Sequence, residues 1–213
     1  MSASNPSSGP GRDRTLSEAD LDPDPIRQFR SWFDEARAAG EPEPEAMALA
    51  TSTPGGVPSN RIVLLRGLDE RGFVFYTNSR SAKGREIAAN PRAALAFRWS
   101  RVNRQVRVSG PIAAVEAGES DAYFGRRALG SRIGAWASAQ SEPLASRAEL
   151  DEQVAIMAER FSGQEVPRPP WWGGFRVRPE QIEFWQGRPD RLHDRLRYER
   201  AGGNGWQIQR LNP

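Results

Sequence analysis

The chain has no cysteine, a single histidine and a single lysine, every other basic residue being arginine. The absence of cysteine excludes disulfides and thiolate chemistry. One histidine cannot build a zinc site of the His/Cys type, so no metal is expected. A Ser-His-Asp triad would have to use His193, and no G-x-S-x-G elbow accompanies it. Neither a G-x-x-x-x-G-K-S/T loop nor a G-x-G-x-x-G turn occurs, which argues against a P-loop or a Rossmann dinucleotide site. No apolar run approaches the ~20 residues that span a bilayer, and the opening "MSASNPSSGPGRDR" has no apolar stretch of the secretory kind. Net charge is only +3, with acids scattered among the 30 basic residues, so no nucleic-acid stripe is indicated. What remains is a soluble, cytoplasmic chain of 213 residues, with one domain as the default and no nucleic-acid or membrane partner.

The segments present give that domain an order. Residues 1–22 are rich in Ser, Pro, Gly and Asp and read as a disordered arm ahead of a domain over 23–213. "DPIRQFRSWFDEARAAG" (24–40) reads as a helix with Asp24 as N-cap, Pro25 at N1 and Gly40 as its stop. The period then falls to two in "AMALATS" (46–52), "SNRIVLLRG" (59–67) and "GFVFYTN" (72–78), separated by turn residues. "SAKGREIAANP" (81–91) reads as a short helix capped by Ser81, and "RAALAFRWS" (92–100) and "RQVRVSGPIAAVEA" (104–117) as strands. Helical stretches near 118–128 and 144–162 precede four further β segments: "GGFRVRP", "QIEFWQG", "DRLHDRLRYER" and "NGWQIQRLNP". Six or more antiparallel strands interrupted by short helices predict a mainly β fold with α, a closed barrel with helices packed around it.

Four places carry candidate chemistry. Lys83 lies in the first turn of a predicted helix, where free N–H groups and partial positive charge suit a phosphate; a capped helix with a solvated lysine is the plainer alternative. If "RLHDRLRYER" is a strand, Arg191, His193 and Arg195 share one face, while Leu192, Asp194 and Leu196 share the other and both leucines can enter the core. Cations on both sides make His193 a better hydrogen-bonding group than general base. That face is either an exposed strand surface or the wall of an anion site. In "QIEFWQG" Ile182 and Phe184 read as core, which leaves Trp185 on a polar face to stack on a ligand or plug a subunit interface. In "RQVRVSG" Val106 and Val108 point inward, and Gln105 opposite them either reads a heterocycle edge or is solvated.

In this order "RIVLLRG", "FYTNSRSAKG", "RQVRVSG", "IGAWASAQS", "WWGGFRV", "QIEFWQG", "RLHDR" and the terminal "RLNP" resemble the pyridoxine (pyridoxamine) 5′-phosphate oxidase family over residues 24–213. The resemblance implies an FMN-binding split β-barrel and a homodimer with FMN in a cleft between subunits. It implies that Arg61 and Lys83 hold the FMN phosphate, with Ile62, Val63, Leu64, Leu65 and Arg66 running beside the flavin. Tyr76, Thr77, Gln105, Gln140, Ser141, Trp185 and Arg195 would complete the cofactor site, some of them from the partner subunit. Arg66, Tyr123, Arg127 and Ser131 would hold the substrate phosphate, and Arg191 and His193 would lie over the substrate ring as its catalytic pair.

The implied reaction is oxidation of pyridoxine or pyridoxamine 5′-phosphate to the aldehyde, with O2 as acceptor and hydrogen peroxide as product. The chain departs from the family pattern at Arg66, where lysine is usual, and at Ala82, where arginine usually precedes the anchoring lysine. No M-R-x-x-Y pattern precedes Asp24, and "FGRRALGS" lacks the usual proline. These departures also resemble phenazine-biosynthesis oxidases, which act on a reduced tricyclic acid. A third resemblance is to non-catalytic flavin- or haem-binding modules on the same scaffold.

Overall fold

Asp24 and Pro25 begin the first helix as their order predicts. In the structure, a computed structural model that describes residues 14–202 and 205–213, α1 spans Pro25–Ala38 and the Asp24 carboxylate accepts the Ile26 N–H at 2.8 Å. Proline at the first position has no N–H to leave unsatisfied, and the chain leaves the helix through Gly40 at φ +72°. After α1 come β1 (Ala46–Ser52), β2 (Pro58–Leu64), β3 (Gly67–Asp69) and β4 (Gly72–Asn78), then α2 (Ala82–Ala89). Next are β5 (Arg92–Trp99), β6 (Arg104–Ala114), α3 (Ala117–Gly125), α4 (Leu129–Ala137) and α5 (Arg147–Arg160). The chain ends with β7 (Trp172–Val177), β8 (Gln181–Gln186), β9 (Asp194–Arg200) and β10 (Trp206–Arg210).

The strands form one ten-stranded sheet, ordered β10-β9-β8-β6-β5-β1-β2 with β3, β4 and β7 off that path. Every pairing is antiparallel. The long strand β6 turns the sheet: its first part lies between β5 and β8, while Ile112–Ala114 pair with β7, which carries β4. The sheet therefore curls into a half-barrel, and α1 fills its hollow. Phe29 meets Phe73 of β4 and Phe97 of β5 at 4.9 Å each, and Trp32 meets Phe184 of β8 at 5.1 Å. Phe29, Phe73, Phe97 and Phe184 are fully buried, and each contributes roughly 1.5–3 kcal/mol of apolar burial. Strand alternation follows the sequence pattern: Val106 and Val108 are buried, while Gln105 and Ser109 are half-buried and Arg107 is exposed.

Three expectations need correction. The arm expected over 1–22 is packed from Arg14 onward, and residues 1–13 lie outside the described residues. Leu16 and Leu21 enter the core, and the Tyr198 hydroxyl donates to Asp22 O at 2.6 Å; two leucines in a polar run join this hydrogen bond in anchoring it. The segment around "GSRIGAWA", expected to lie between the helical stretches near 118–128 and 144–162, itself forms α4, whose Ile133 and Ala137, one turn apart, are buried. Finally, "DRLHDRLRYER" is not one strand. Pro189–Arg191 form a 3-10 turn, β9 starts at Asp194, and Leu192 is 68% exposed rather than in the core. Gly187, Pro189 and Asp190 are turn residues, and Asp190 and Arg191 take left-handed φ of 55° and 62°. Arg191, His193 and Arg195 consequently do not alternate along a common strand face.

Candidate active site

The turn between β4 and α2 is built by side chains that satisfy its backbone. Asn78 Oδ1 accepts the Arg80 N–H at 2.7 Å, and buried Ser81 donates its hydroxyl to Asn78 O at 2.7 Å while capping Gly84 N. Residue 84 must be glycine here, because a Cβ would lie 2.2 Å from Ser79 O. This tight entry turns Lys83 inward: Nζ reaches Gln140 Oε1 at 3.1 Å, with Thr77 Oγ1 and Ser81 Oγ each at 3.3 Å. Burial, followed by repulsion from Arg61, pulls the Lys83 pKa below the usual lysine value. The ammonium is thus held in a place that costs it hydration, with no carboxylate bonded to it among the described residues, beside the N-terminus of α2.

Arg61 on β2 is its cationic neighbour. Its guanidinium donates to Ser59 Oγ at 2.7 Å, Thr51 Oγ1 at 2.5 Å and Glu86 Oε2 at 3.2 Å. Glu86 sits one turn after Lys83 and also accepts from Ser59 at 2.7 Å and from Thr51. Burial opposes its negative charge, but the bonds from Thr51, Ser59 and Arg61 outweigh that and hold its pKa below the usual carboxylate range. The Glu86 carboxylate therefore fixes where Arg61 points.

Arg61 and Lys83 share one cavity of about 680 Å³, whose lining also includes Ile62, Val63, Leu64, Arg66, Tyr76, Thr77, Tyr123, Arg127, Ser131, Gln140 and Trp172. One wall is aromatic. Tyr76 and Tyr123 stack at 3.9 Å with planes 6° apart, and Trp172 continues the stack 5.5 Å from Tyr76. Gly174 allows this wall, since a Cβ there would meet the Tyr76 ring at 2.7 Å. Arg127 lies 4.6 Å over Trp172, and its buried Nη1 has no hydrogen-bond partner among the described residues. Burial lowers the Arg127 pKa. A desolvated guanidinium with an orphaned N–H at a cavity wall fits an anionic ligand atom. Arg66, at the same cavity, lies 3.9 Å from Glu45.

The remaining sequence candidates form a second cluster. Gln105, Trp185 and Arg195 are cross-strand neighbours on β6, β8 and β9. His193 packs 4.5 Å from the Trp185 ring and accepts the Arg188 N–H at Nδ1, 3.1 Å away. Arg195 donates to both oxygens of buried Glu183, at 2.8 and 3.1 Å, and to Asn212 O at 2.9 Å. Arg191 is exposed, as is Ser141, while Leu65 packs against the core and does not line the cavity. From β2 to β8 is four strand spacings, on the order of 20 Å along the sheet, so within one chain these residues do not line the cavity of Lys83.

Sequence reasoning missed Glu86, Glu183 and Trp172. Glu86 was findable by its i+3 spacing from Lys83 on one helix face. Glu183 shares the polar face of "QIEFWQG" with Trp185, and Trp172 was hidden among several tryptophans.

The family model described as pyridoxamine 5′-phosphate oxidase matches residues 33–186, and the one described as pyridoxine 5′-phosphate oxidase C-terminal dimerisation region matches 172–213. The pyridoxine/pyridoxamine 5′-phosphate oxidase of Rubrobacter xylanophilus is 61% identical over 198 residues, covering 93% of this chain and 91% of its own. Its namesake from Cupriavidus taiwanensis is 57% identical and covers 93% of both. Among solved structures, PhzG from Burkholderia lata in complex with tetrahydrophenazine-1-carboxylic acid has a TM-score of 0.89 at 36% identity, over 95% of this chain and all of that one. A pyridoxamine 5′-phosphate oxidase-related, FMN-binding protein from Nostoc punctiforme has a TM-score of 0.69 at 18% identity, over 94% of this chain and all of that one, which establishes a shared fold.

Proposed function

The chain belongs to the pyridoxamine 5′-phosphate oxidase family, and from that premise we propose that it is an FMN-dependent oxidase of pyridoxine and pyridoxamine 5′-phosphates, making the aldehyde pyridoxal 5′-phosphate. The observation that carries this reading is one cavity with two cationic groupings and an aromatic wall. Lys83 feels Arg61, whereas Arg127 sits over Trp172 and answers to burial and Tyr123. Two phosphate monoesters, one on the cofactor and one on the substrate, match two such groupings.

FMN fits the residues present. Lys83, Arg61 and the start of α2 suit its phosphate, and the apolar lip of β2, where Ile62 is 66% exposed, suits a flat ring. Bound there, FMN would supply a hydride acceptor, with O2 as the final acceptor and hydrogen peroxide as its product. The protein contributes orientation: Arg66, Tyr123, Arg127 and Ser131 hold the substrate phosphate and so fix the distance of its C4′ carbon from the flavin. The second cluster supports a site completed across a homodimer. Trp185, Arg191, His193 and Arg195 all fall within the matched dimerisation region. In this reading they face the cavity of the other subunit, with Gln105 beside Trp185.

The relative bound to tetrahydrophenazine-1-carboxylic acid supplies the second reading, oxidation of a reduced tricyclic acid. The orphaned Arg127 N–H would then hold a carboxylate. Purified protein loaded with FMN and given pyridoxine 5′-phosphate or the reduced tricycle separates the two. Aldehyde and peroxide formed from the first substrate are expected. FMN binding with turnover of the tricycle alone would reject the vitamin reading, and FMN binding with no turnover would reject both.

A further inference from the structure

The seven residues between β8 and β9 (187–193) include turn formers, but Arg191 holds a conformation that its residue type does not favour. Asp190 and Arg191 are consecutive non-glycine residues in the left-handed region, at φ 55° and 62°, so the surroundings must offset their strain. At the loop's start, Gly187 N donates to Asn103 O at 2.9 Å, and Gly187 lies so close to the Asn103 amide that a Cβ would be 2.0 Å from it. Gln186 and Asp194 face each other in register across the loop's base.

Asp194 does more than end the loop. Its Oδ2 accepts the Leu16 N–H at 3.1 Å, its Oδ1 accepts Arg210 Nη1 at 3.0 Å, and Arg188 Nε lies 3.8 Å from Oδ2. Arg210 in turn donates to Leu16 O at 3.0 Å and to both oxygens of Glu18 at 3.0 and 2.9 Å. One carboxylate thus ties the strap over residues 14–21, the last strand and the loop's first arginine to the residue after His193. Inside the loop, the Arg188 N–H donates to His193 Nδ1 at 3.1 Å. A nitrogen that accepts an N–H carries no proton of its own, so the ring's proton sits on Nε2.

We propose that Asp194 is a positioning residue for His193. By latching the strap and β10 to the loop, it keeps the Arg188 amide on Nδ1 and presents His193 as a fixed Nε2–H donor. The role this gives His193, orienting an oxygen of the substrate, rests on the function proposed above; the latch and the tautomer do not.

His193 is the only histidine in the chain, so its ring nitrogens can be read in the full-length, 15N-labelled protein without assignment. Long-range proton–nitrogen spectra above the imidazole titration range should give one tautomer, with a bare Nδ1 and a protonated Nε2. Asp194→Asn keeps the shape and loses the charge, and its NH2 group cannot accept, so one of the two donors, Leu16 N or Arg210 Nη1, loses its acceptor. It should produce mixed tautomers, an unchanged FMN affinity and a kcat/KM lower by roughly tenfold, the worth of one ordinary hydrogen bond. An unaltered single tautomer in a folded Asp194→Asn protein, or a wild-type ring protonated at Nδ1, would overturn the proposal. If Asp194→Asn does not fold, Arg210→Met removes one partner and leaves the carboxylate; mixed tautomers there support the latch and an unaltered spectrum defeats it. Because the spectra need no turnover, an inactive protein with the expected tautomers would refute the proposed function and leave the latch standing.

Discussion

Replacing Lys83 by methionine should weaken cofactor binding while leaving the empty protein as stable as before or more so. The ammonium is half-buried, and its pKa is lowered chiefly by burial, then by Arg61, with Glu86 opposing. A lysine whose folded pKa is lowered penalises folding while it is charged. That penalty is present below the folded pKa and is relieved as pH rises through it towards the ordinary lysine value. Methionine keeps the stem and removes the penalty, so the melting temperature of the cofactor-free variant should hold or rise at neutral pH. The three oxygens that now receive Nζ, on Thr77, Ser81 and Gln140, are not stranded, because Thr77 already donates to Gln140 at 3.1 Å and Ser81 to Asn78 at 2.7 Å.

With a phosphate present the sign reverses. A hydrogen bond to a charged group is worth about 1.5–3 kcal/mol, so the FMN Kd should rise roughly tenfold to 150-fold. Quenching of flavin fluorescence on titration measures this, and riboflavin, which lacks the phosphate, is the internal control. Lys83→Met should lower FMN affinity and leave riboflavin affinity near its wild-type value. Equal losses for the two flavins, or a melting temperature several degrees lower in the cofactor-free variant, would refute the reasoning.

Other substitutions separate the remaining parts. Arg127→Met removes the orphaned guanidinium and should raise KM for the phosphorylated substrate by roughly 10- to 100-fold, the value of one charge-assisted contact, with FMN affinity unchanged; steady-state kinetics with saturating FMN reads this. Glu86→Gln should remove an acid-sensitive part of stability. A carboxylate with a lowered folded pKa stabilises above its ordinary range and loses that contribution as pH falls through the lowered value, so denaturation curves at neutral and acid pH should differ less in the variant than in the wild type. Phe29→Ala opens a cavity among four other aromatic rings and should cost about 3–5 kcal/mol in urea unfolding. Gly84→Ala forces a Cβ onto Ser79 O and should disturb the α2 entry enough to weaken FMN binding as well as folding, measurable in the same flavin titration.

Much of the β-rich fold was legible because its signals are local. Residues 46–52 and 72–78 became β1 and β4 with the bounds expected, since alternating apolar residues between turn formers have few other solutions. Asp24, Pro25, Ser81 and Gly40 each did what their backbone chemistry dictates. The lone lysine could be placed at a helix start from the letters alone, and the ordered set of motifs pointed to the family.

Longer-range facts were not available there. Whether Leu16 is a loose tail or a core residue depends on a hollow formed by strands far along the chain. Whether 190–200 runs straight depends on two left-handed residues and on the register at which β9 begins to pair with β8. Whether Arg127 is solvated or buried with an empty N–H depends on Trp172, brought beneath it by β7. Periodicity and capping act over a few residues and are written in the order of the letters. Burial, desolvation and orphaned hydrogen bonds exist only once distant segments share one space, and those are the properties that turn scattered arginines and one lysine into an anion-binding cavity.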